Sequence, residues 1–271
     1  MGDLIDRFPN PVCLTHEAAT LARALGIDAP REAEEPISPL ADLLIEKMGG
    51  KAERSLFFHP DAAAEWLFRK YPDFFLPVLR HAPMTRPYGT VMPSVTPVCF
   101  ATMYSGAMPE KHGIREYAKP ILTIDTLFDR MLERGMRVAN VASRGCSMAM
   151  IFADRKMDAY VTEDDADSFQ TALSLLEDDR YDHISVYFGE YDAIMHARGT
   201  ESEEALAKLE EHFRHFDVLA GKARALWAGK RHLIMVGTDH GVHDMADGRG
   251  AHGTDQTADL DILHFYGAYN H

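Results

Sequence analysis

Three segments of this chain place carboxylates beside imidazoles. HPDA offers His59 and Asp61, EYDAIMH offers Asp192 and His196, and TDHG offers Asp239 and His240; further on, GRGAHGTD adds His252. Carboxylates mixed with neutral imidazoles suit zinc, with manganese as the second choice. The spacing of four between Asp192 and His196 puts both on one face if that turn is helical. Asp239 and His240 are adjacent, so they point apart and can serve two ions about 4 Å from each other, or one ion and a neighbour. Each feature alone has a plainer reading. An aspartate after a strand caps a helix or forms a turn, and an isolated Asp-x-x-x-His is an exposed helix face. His243, His264 and His271 read as structural or solvent-facing. The metal reading rests on all three acidic sites falling just after apolar strands.

A fourth segment, MPSVTPVCFATMYSGAMPEKHGI (92–114), carries hydroxyls at Ser94, Thr96, Thr102 and Ser105. A hydroxyl at a helix N-terminus, among unpaired backbone N–H groups, is placed to meet a phosphate. The plainer reading is a threonine cap on a core helix.

The elements that must position these groups alternate along the chain. SLFF (55–58), MRVANVAS (136–143), HISVYFG (183–189), HLIMVG (232–237) and DILHFYGAY (261–269) read as strands. Between them, AAAEWLFRKY (62–71), TIDTLFDRMLERG (123–135), 167–177 and the long 202–227 stretch read as helices, the last with Ser202 as its cap. Strand–helix alternation with apolar strands implies an α/β fold: a largely parallel central sheet with helices on both faces. In such sheets functional groups collect at the carboxyl ends of the strands. Residues 1–52 carry two further helical patterns, around His16–Leu25 and Pro39–Met48. They read as an N-terminal helical extension packed on a main domain of residues 53–271.

Composition narrows the class. At 271 residues, 46% hydrophobic and 26% charged, the chain sits in the ordinary globular range. Its net charge of −14 argues against a nucleic-acid surface, which should be basic. No stretch reaches the roughly 18 apolar residues of a membrane span. The start, MGDLIDRFPNPVC, lacks the basic and apolar regions of a secretory signal, which leaves the cytoplasm as the default. Cys13, Cys99 and Cys146 are too far apart to suggest a disulfide framework or a thiolate zinc site.

Taken in order, these elements resemble the type I phosphodiesterase/nucleotide pyrophosphatase branch of the alkaline phosphatase superfamily. Its nucleophile segment matches Pro93, Thr96, Ser105-Gly106 and Pro109-Glu-Lys-His112-Gly113-Ile114. Its later elements resemble YDAIMHARG (191–199), TDHG (238–241) and GAHG (250–253). The resemblance spans roughly residues 54–271 and is specific for the superfamily, not for a substrate. Carried over by position, it implies an alkaline-phosphatase-like fold and two divalent ions. One ion would be held by Asp192, His196 and His252, the other by Asp61, Asp239, His240 and the oxygen of Thr96. There are two departures. HPDA stands where the family has Asp-Gly, and Cys99 stands where many members have an asparagine that contacts a phosphate oxygen. A thiol is a poor donor by comparison. The sulfatase motif is not matched at CFATM or CSMAM.

The resemblance implies a metal-dependent phosphoric ester hydrolase. Thr96 would attack to give a phospho-threonine, which water would then resolve, and the substrate would be small and phosphorylated, because the chain has few insertions to build a larger pocket. Three alternatives remain at this point. A phosphomutase or phosphotransferase of the same superfamily usually has a large inserted domain, for which this chain is short. A decayed metal-binding member would have lost turnover. An HD-type phosphohydrolase using His243-Asp244 would be mostly helical.

Overall fold

The computed structural model describes residues 11–270. The first ten residues and His271 lie outside them. Eight strands form one sheet in the order β1-β3-β10-β7-β2-β6-β4-β5. They are β1 (Val12–Cys13), β2 (Arg54–Pro60), β3 (Met84–Gly89), β4 (Val138–Ser143), β5 (Asp158–Thr162), β6 (His183–Phe188), β7 (His232–Gly237) and β10 (Asp261–Tyr269). The other two, β8 (His243–Asp244) and β9 (Gly250–Ala251), form a separate antiparallel pair. Within the sheet only β10 is reversed, pairing antiparallel with both β3 and β7. All other pairings are parallel.

The central strands β7, β2 and β6 are apolar on both sides because both sides are covered. Along β2, Phe57 packs into one hydrophobic cluster while Leu56 and Phe58 pack into the other. The same alternation splits Leu233 and Met235 from Ile234 and Val236. This is the period-two geometry of a strand between two helical layers. The first layer comprises helices Glu17–Leu25, Ser38–Met48, Thr96–Ser105 and Leu127–Glu133. The second comprises Glu65–Lys70, Asp165–Asp178, Glu190–Arg198 and Glu203–Leu226. The expected parallel sheet with two helical layers is the fold observed. It rules out a mostly helical HD architecture.

Three strands of the sheet had no clear signal, the two-residue β1 among them. The β3 segment, MTRPYG, contains an arginine and a proline. It tolerates them because β1 pairs only with Tyr88 and Gly89, which leaves β3 close to the sheet edge. β5 is the far edge strand and is short and largely exposed.

The N-terminal helices share the first cluster with the sheet: Leu21, Leu25, Leu40, Leu44 and Met48 lie in it with Tyr88 and Tyr266. Glu17, at the start of the first helix, is fully buried and accepts hydrogen bonds from Tyr88 and Tyr266. The Thr96–Ser105 helix docks beside this layer. Its terminating Gly106 has a φ of 70°, and a Cβ there would come within 2.4 Å of the Ala33 Cβ, so both conformation and space call for glycine.

Candidate active site

The carboxyl ends of β2, β6 and β7, three neighbours at the centre of the sheet, converge on one cleft. Asp61 follows β2, and Asp239 and His240 follow β7. Asp192 and His196 sit on the Glu190–Arg198 helix that follows β6, one turn apart as their spacing predicts. Thr96 is the first residue of its helix, where the helix dipole favours negative charge. His252 comes from the loop after β9.

These residues fall into two groups. In the first, His240 Nε2 lies 3.4 Å from Asp61 Oδ1 and 3.3 Å from Asp239 Oδ2. Thr96 Oγ1 is 3.3 Å from His240 Nε2 and 3.5 Å from Asp61 Oδ2. In the second, His196 Nε2 and His252 Nε2 are 3.0 Å apart, and each faces Asp192 at 3.5 and 3.4 Å. The groups adjoin, for the rings of His240 and His252 stack with centroids 3.9 Å apart. The first group is buried, whereas the second opens to solvent through His196, whose side chain is 43% exposed.

The donor chemistry of both groups fits divalent cations. His196, His240 and His252 each turn Nδ1 to a backbone carbonyl, of Gly250, Gly241 and Ser94 respectively. A ring that donates through Nδ1 presents the lone pair of Nε2, and here every Nε2 points into the cluster. Asp61 Oδ1, Asp192 Oδ1 and Asp239 Oδ2 are buried without any hydrogen-bond donor. Burial, and secondarily Asp239, pushes Asp61 well above the usual carboxylate range. Burial likewise raises Asp192, and raises Asp239 to about 7. Burial and the neighbouring His240 hold His252 down to about 2. Carboxylates that resist ionisation beside imidazoles that resist protonation are what a cluster shaped for cations looks like when only the protein's own charges are counted.

The competing hydroxyls and histidines are engaged elsewhere. Ser94 Oγ donates to the Thr254 carbonyl and Ser105 Oγ to that of Ala101. Thr102 Oγ1 is 3.0 Å from His112 Nε2; His112 Nδ1 accepts the Ile114 N–H, so Nε2 is the donor to Thr102. His59 bridges the Gly237 carbonyl and the Tyr104 hydroxyl, and burial holds it neutral, at about 3. His243 pairs with Asp259, while Asp244 accepts from Thr200, so these two do not form an HD centre. His264 is buried between Glu17 and the Thr238 carbonyl. Cys99 does not meet the cleft. Its thiol is fully buried, faces the Val91 carbonyl at 4.0 Å and is raised by that burial. Position 99 therefore offers the cleft no donor in place of the family's asparagine, and the departure stands.

The cleft, about 320 Å³, has walls that strand-end reading did not single out. Tyr187 donates to Asp61 from the next-to-last position of β6. Tyr117, Lys119, Arg144, Cys146 and Glu190 line the remainder. Arg144 and Cys146 follow β4 in the sequence SRGCS, so the rule that found the aspartates would have found them too had it been extended to that strand. A third acidic cluster, Asp165 with Glu190 and His212, adjoins the cleft. Its carboxylates are engaged: Asp165 accepts the N–H groups of Gly189 and Glu190 and faces His212 at 2.9 Å, while Glu190 pairs with Lys208.

Similarity to known proteins agrees with this geometry. No curated protein sequence matches the chain. Among solved structures, phosphonoacetate hydrolase from Sinorhizobium meliloti 1021, in complex with phosphonoformate, is 17% identical with a TM-score of 0.54, over 73% of this chain and 59% of its own. Murine ectonucleotide pyrophosphatase/phosphodiesterase 5 is 16% identical with a TM-score of 0.55, over 71% and 58%. An inactive form of that murine protein in complex with AMP is 15% identical with a TM-score of 0.55, over 72% and 58%. Likeness at these identities is likeness of fold, and the chain spans about three fifths of the length of these proteins. A sequence model of the type I phosphodiesterase/nucleotide pyrophosphatase family matches residues 76–267, more than two thirds of the 271. The chain belongs to that family, within the alkaline phosphatase superfamily.

Proposed function

We propose that this protein is a two-metal hydrolase of phosphate esters that acts through a phospho-threonine on Thr96. The observation that carries the reading is the position of Thr96 Oγ1, at a helix N-terminus and within 3.5 Å of both Asp61 and His240. Asp61, Asp239, His240 and Thr96 would hold one ion, and Asp192, His196 and His252 the other. Zinc is the first choice and manganese the second. Such ions, when bound, neutralise an anionic ester and lower the pKa of a coordinated hydroxyl by several units.

Thr96 Oγ forms the new bond to phosphorus while the bond from phosphorus to the leaving oxygen breaks. That oxygen departs with the bonding pair and takes up a proton, balancing the one that the Thr96 hydroxyl gives up. The N-terminal end of the Thr96–Ser105 helix favours the negative charge of the phosphoryl group. Tyr187, through its bond to Asp61, holds that carboxylate in place. In the second step a water oxygen attacks phosphorus, the bond from phosphorus to Thr96 Oγ breaks, and a proton from that water restores the Thr96 hydroxyl; a monoester substrate thereby yields phosphate and a diester a phosphomonoester.

The substrate we propose is small and phosphorylated, neither nucleic acid nor a membrane component. The cleft volume is near the low end of ligand pockets, roughly 300–1,000 Å³, and the ligands in the solved structures above are of that size class. No helix of the described residues is long and apolar enough to cross a membrane. We place the protein in the cytoplasm, with its three unpaired thiols as support. Residues 1–52 we take as an extension of the 53–271 domain, whose described part is held to it by β1 beside β3 and by Glu17.

The test is a screen of zinc-reconstituted protein against phosphomonoesters, phosphodiesters and phosphonates, with acid quench during turnover and peptide mapping. Turnover of one class with phosphate trapped on Thr96 is the expected result. A zinc-loaded, folded protein that turns over none of them would be a decayed member, and the reading would be withdrawn.

A further inference from the structure

The charges around the cleft do not cancel evenly. Arg144 is paired with Glu163 at 2.8 Å, and Glu190 with Lys208 at 2.8 Å. Asp164 caps the Asp165–Asp178 helix by accepting the Asp167 N–H, and Asp165 is engaged by two N–H groups and His212. Asp61 and Asp192 belong to the two candidate metal groups. Of the two cations in the lining, one is left without an acidic partner. Lys119 bonds the neutral carbonyl of Gly145 at 2.8 Å and stands 5.2 Å from the centre of the Tyr117 ring, and no carboxylate of the described residues pairs with it. It shares the cleft with Thr96 and Asp61. It is half-buried, so solvent screens it less than a fully exposed lysine.

We propose that Lys119 is a specificity residue that binds a second anionic group, a carboxylate or another phosphoryl, on the side of the substrate away from the transferred phosphorus. The Gly145 carbonyl takes one of its three protons and fixes the ammonium, leaving two to donate into the cleft. Tyr117 supplies an aromatic face beside it. The inference rests on the hydrolase reading and narrows its substrate to compact compounds with two anionic ends.

Binding of non-hydrolysable phosphonates to zinc-reconstituted protein tests this by calorimetry. Three probes serve: n-propylphosphonate with a neutral tail, 3-phosphonopropionate with a carboxylate, and methylenediphosphonate with a second phosphoryl group. Wild-type protein should bind one or both of the doubly charged probes about tenfold more tightly than n-propylphosphonate, as a charge-assisted hydrogen bond would give. Which of the two gains identifies the second group. Lys119→Gln should abolish the gap with zinc content unchanged, and Lys119→Arg should retain it. Equal binding of all three by wild type, or a gap that survives Lys119→Gln, overturns the proposal while the hydrolase reading stands. No binding of any of the three overturns the proposal as well, and the hydrolase reading is then decided by the turnover screen alone.

Discussion

A threonine hydroxyl is a weak nucleophile at its ordinary pKa and needs its neighbours to become a strong one. Thr96 has such neighbours, whereas Ser94, Thr102 and Ser105 spend their hydroxyls on backbone carbonyls or on His112. Thr96→Ala should therefore keep the fold and its metal while turnover falls by roughly 10³-fold or more. Thr96→Ser, with the same oxygen, should recover part of it. Activity near wild type in Thr96→Ala would move the nucleophile elsewhere. The two histidine–carboxylate groups yield a second expectation. His196→Ala and His252→Ala should remove one and the same ion, and Asp239→Ala or His240→Ala the other. Anomalous scattering that put all four residues around a single ion would contradict the grouping. The aspartates and Thr96 were legible in the sequence because ligand chemistry resides in residue type and in proximity to a strand end. Tyr187 and Lys119 were not, since nothing in their local sequence separates a cleft-lining tyrosine or lysine from a surface one.

Between residue and site stand the elements that aim the side chains. The Glu190–Arg198 helix carries two candidate ligands on one face, and its first turn is held by Asp165, which reaches across from the preceding helix to the N–H groups of Gly189 and Glu190. Asp165 is itself buried against His212. Asp165→Asn leaves one oxygen to accept both N–H groups. It should weaken zinc at Asp192, His196 and His252 by about tenfold, in the range seen when a ligand's support is lost, and spare the ion at Asp61, Asp239 and His240. A chelator-competition titration resolves the two sites, and equal weakening of both would show a general loss of structure instead. The four-residue spacing of Asp192 and His196 allowed this helix without requiring it. Its anchor was not legible, because Asp165 lies 25 residues before Glu190 and in sequence resembles any other member of an acidic run.

Across the whole molecule, buried histidines make stability depend on pH. His183 is fully buried, and burial, with His59 as a lesser cause, holds it at about 3 against an ordinary 6.5. The unfolded chain takes up that proton near 6.5 and the folded one only near 3, so unfolding binds a proton throughout the interval. The contribution of His183 to stability is complete above pH 6.5 and is lost as pH falls toward 3, at about 1.4 kcal/mol per pH unit. In metal-free protein, His183→Asn should make the fall in Tm between pH 7 and pH 5 shallower than in wild type. An unchanged slope in differential scanning fluorimetry would remove His183 from the account. Acidic groups shift the curve in both proteins alike, so the difference between them isolates the histidine.

By itself the sequence determined which segments are strands and helices at the centre of the fold, because burial on two faces writes itself as continuous apolar runs such as HISVYF and HLIMVG. It also determined the chemistry available, because Asp, His and Thr at strand and helix ends are recognisable one at a time. The direction of β10 was settled only in three dimensions, since an apolar run buried on both sides has no polarity of its own. So was the inward turn of Cys99, which depends on the packing of its helix against Val91 and not on its distance from Thr96. The division of the ligands into a buried group and a solvent-open group belongs there too. It depends on β7, β2 and β6 lying side by side, although the chain visits them far apart and in a different order.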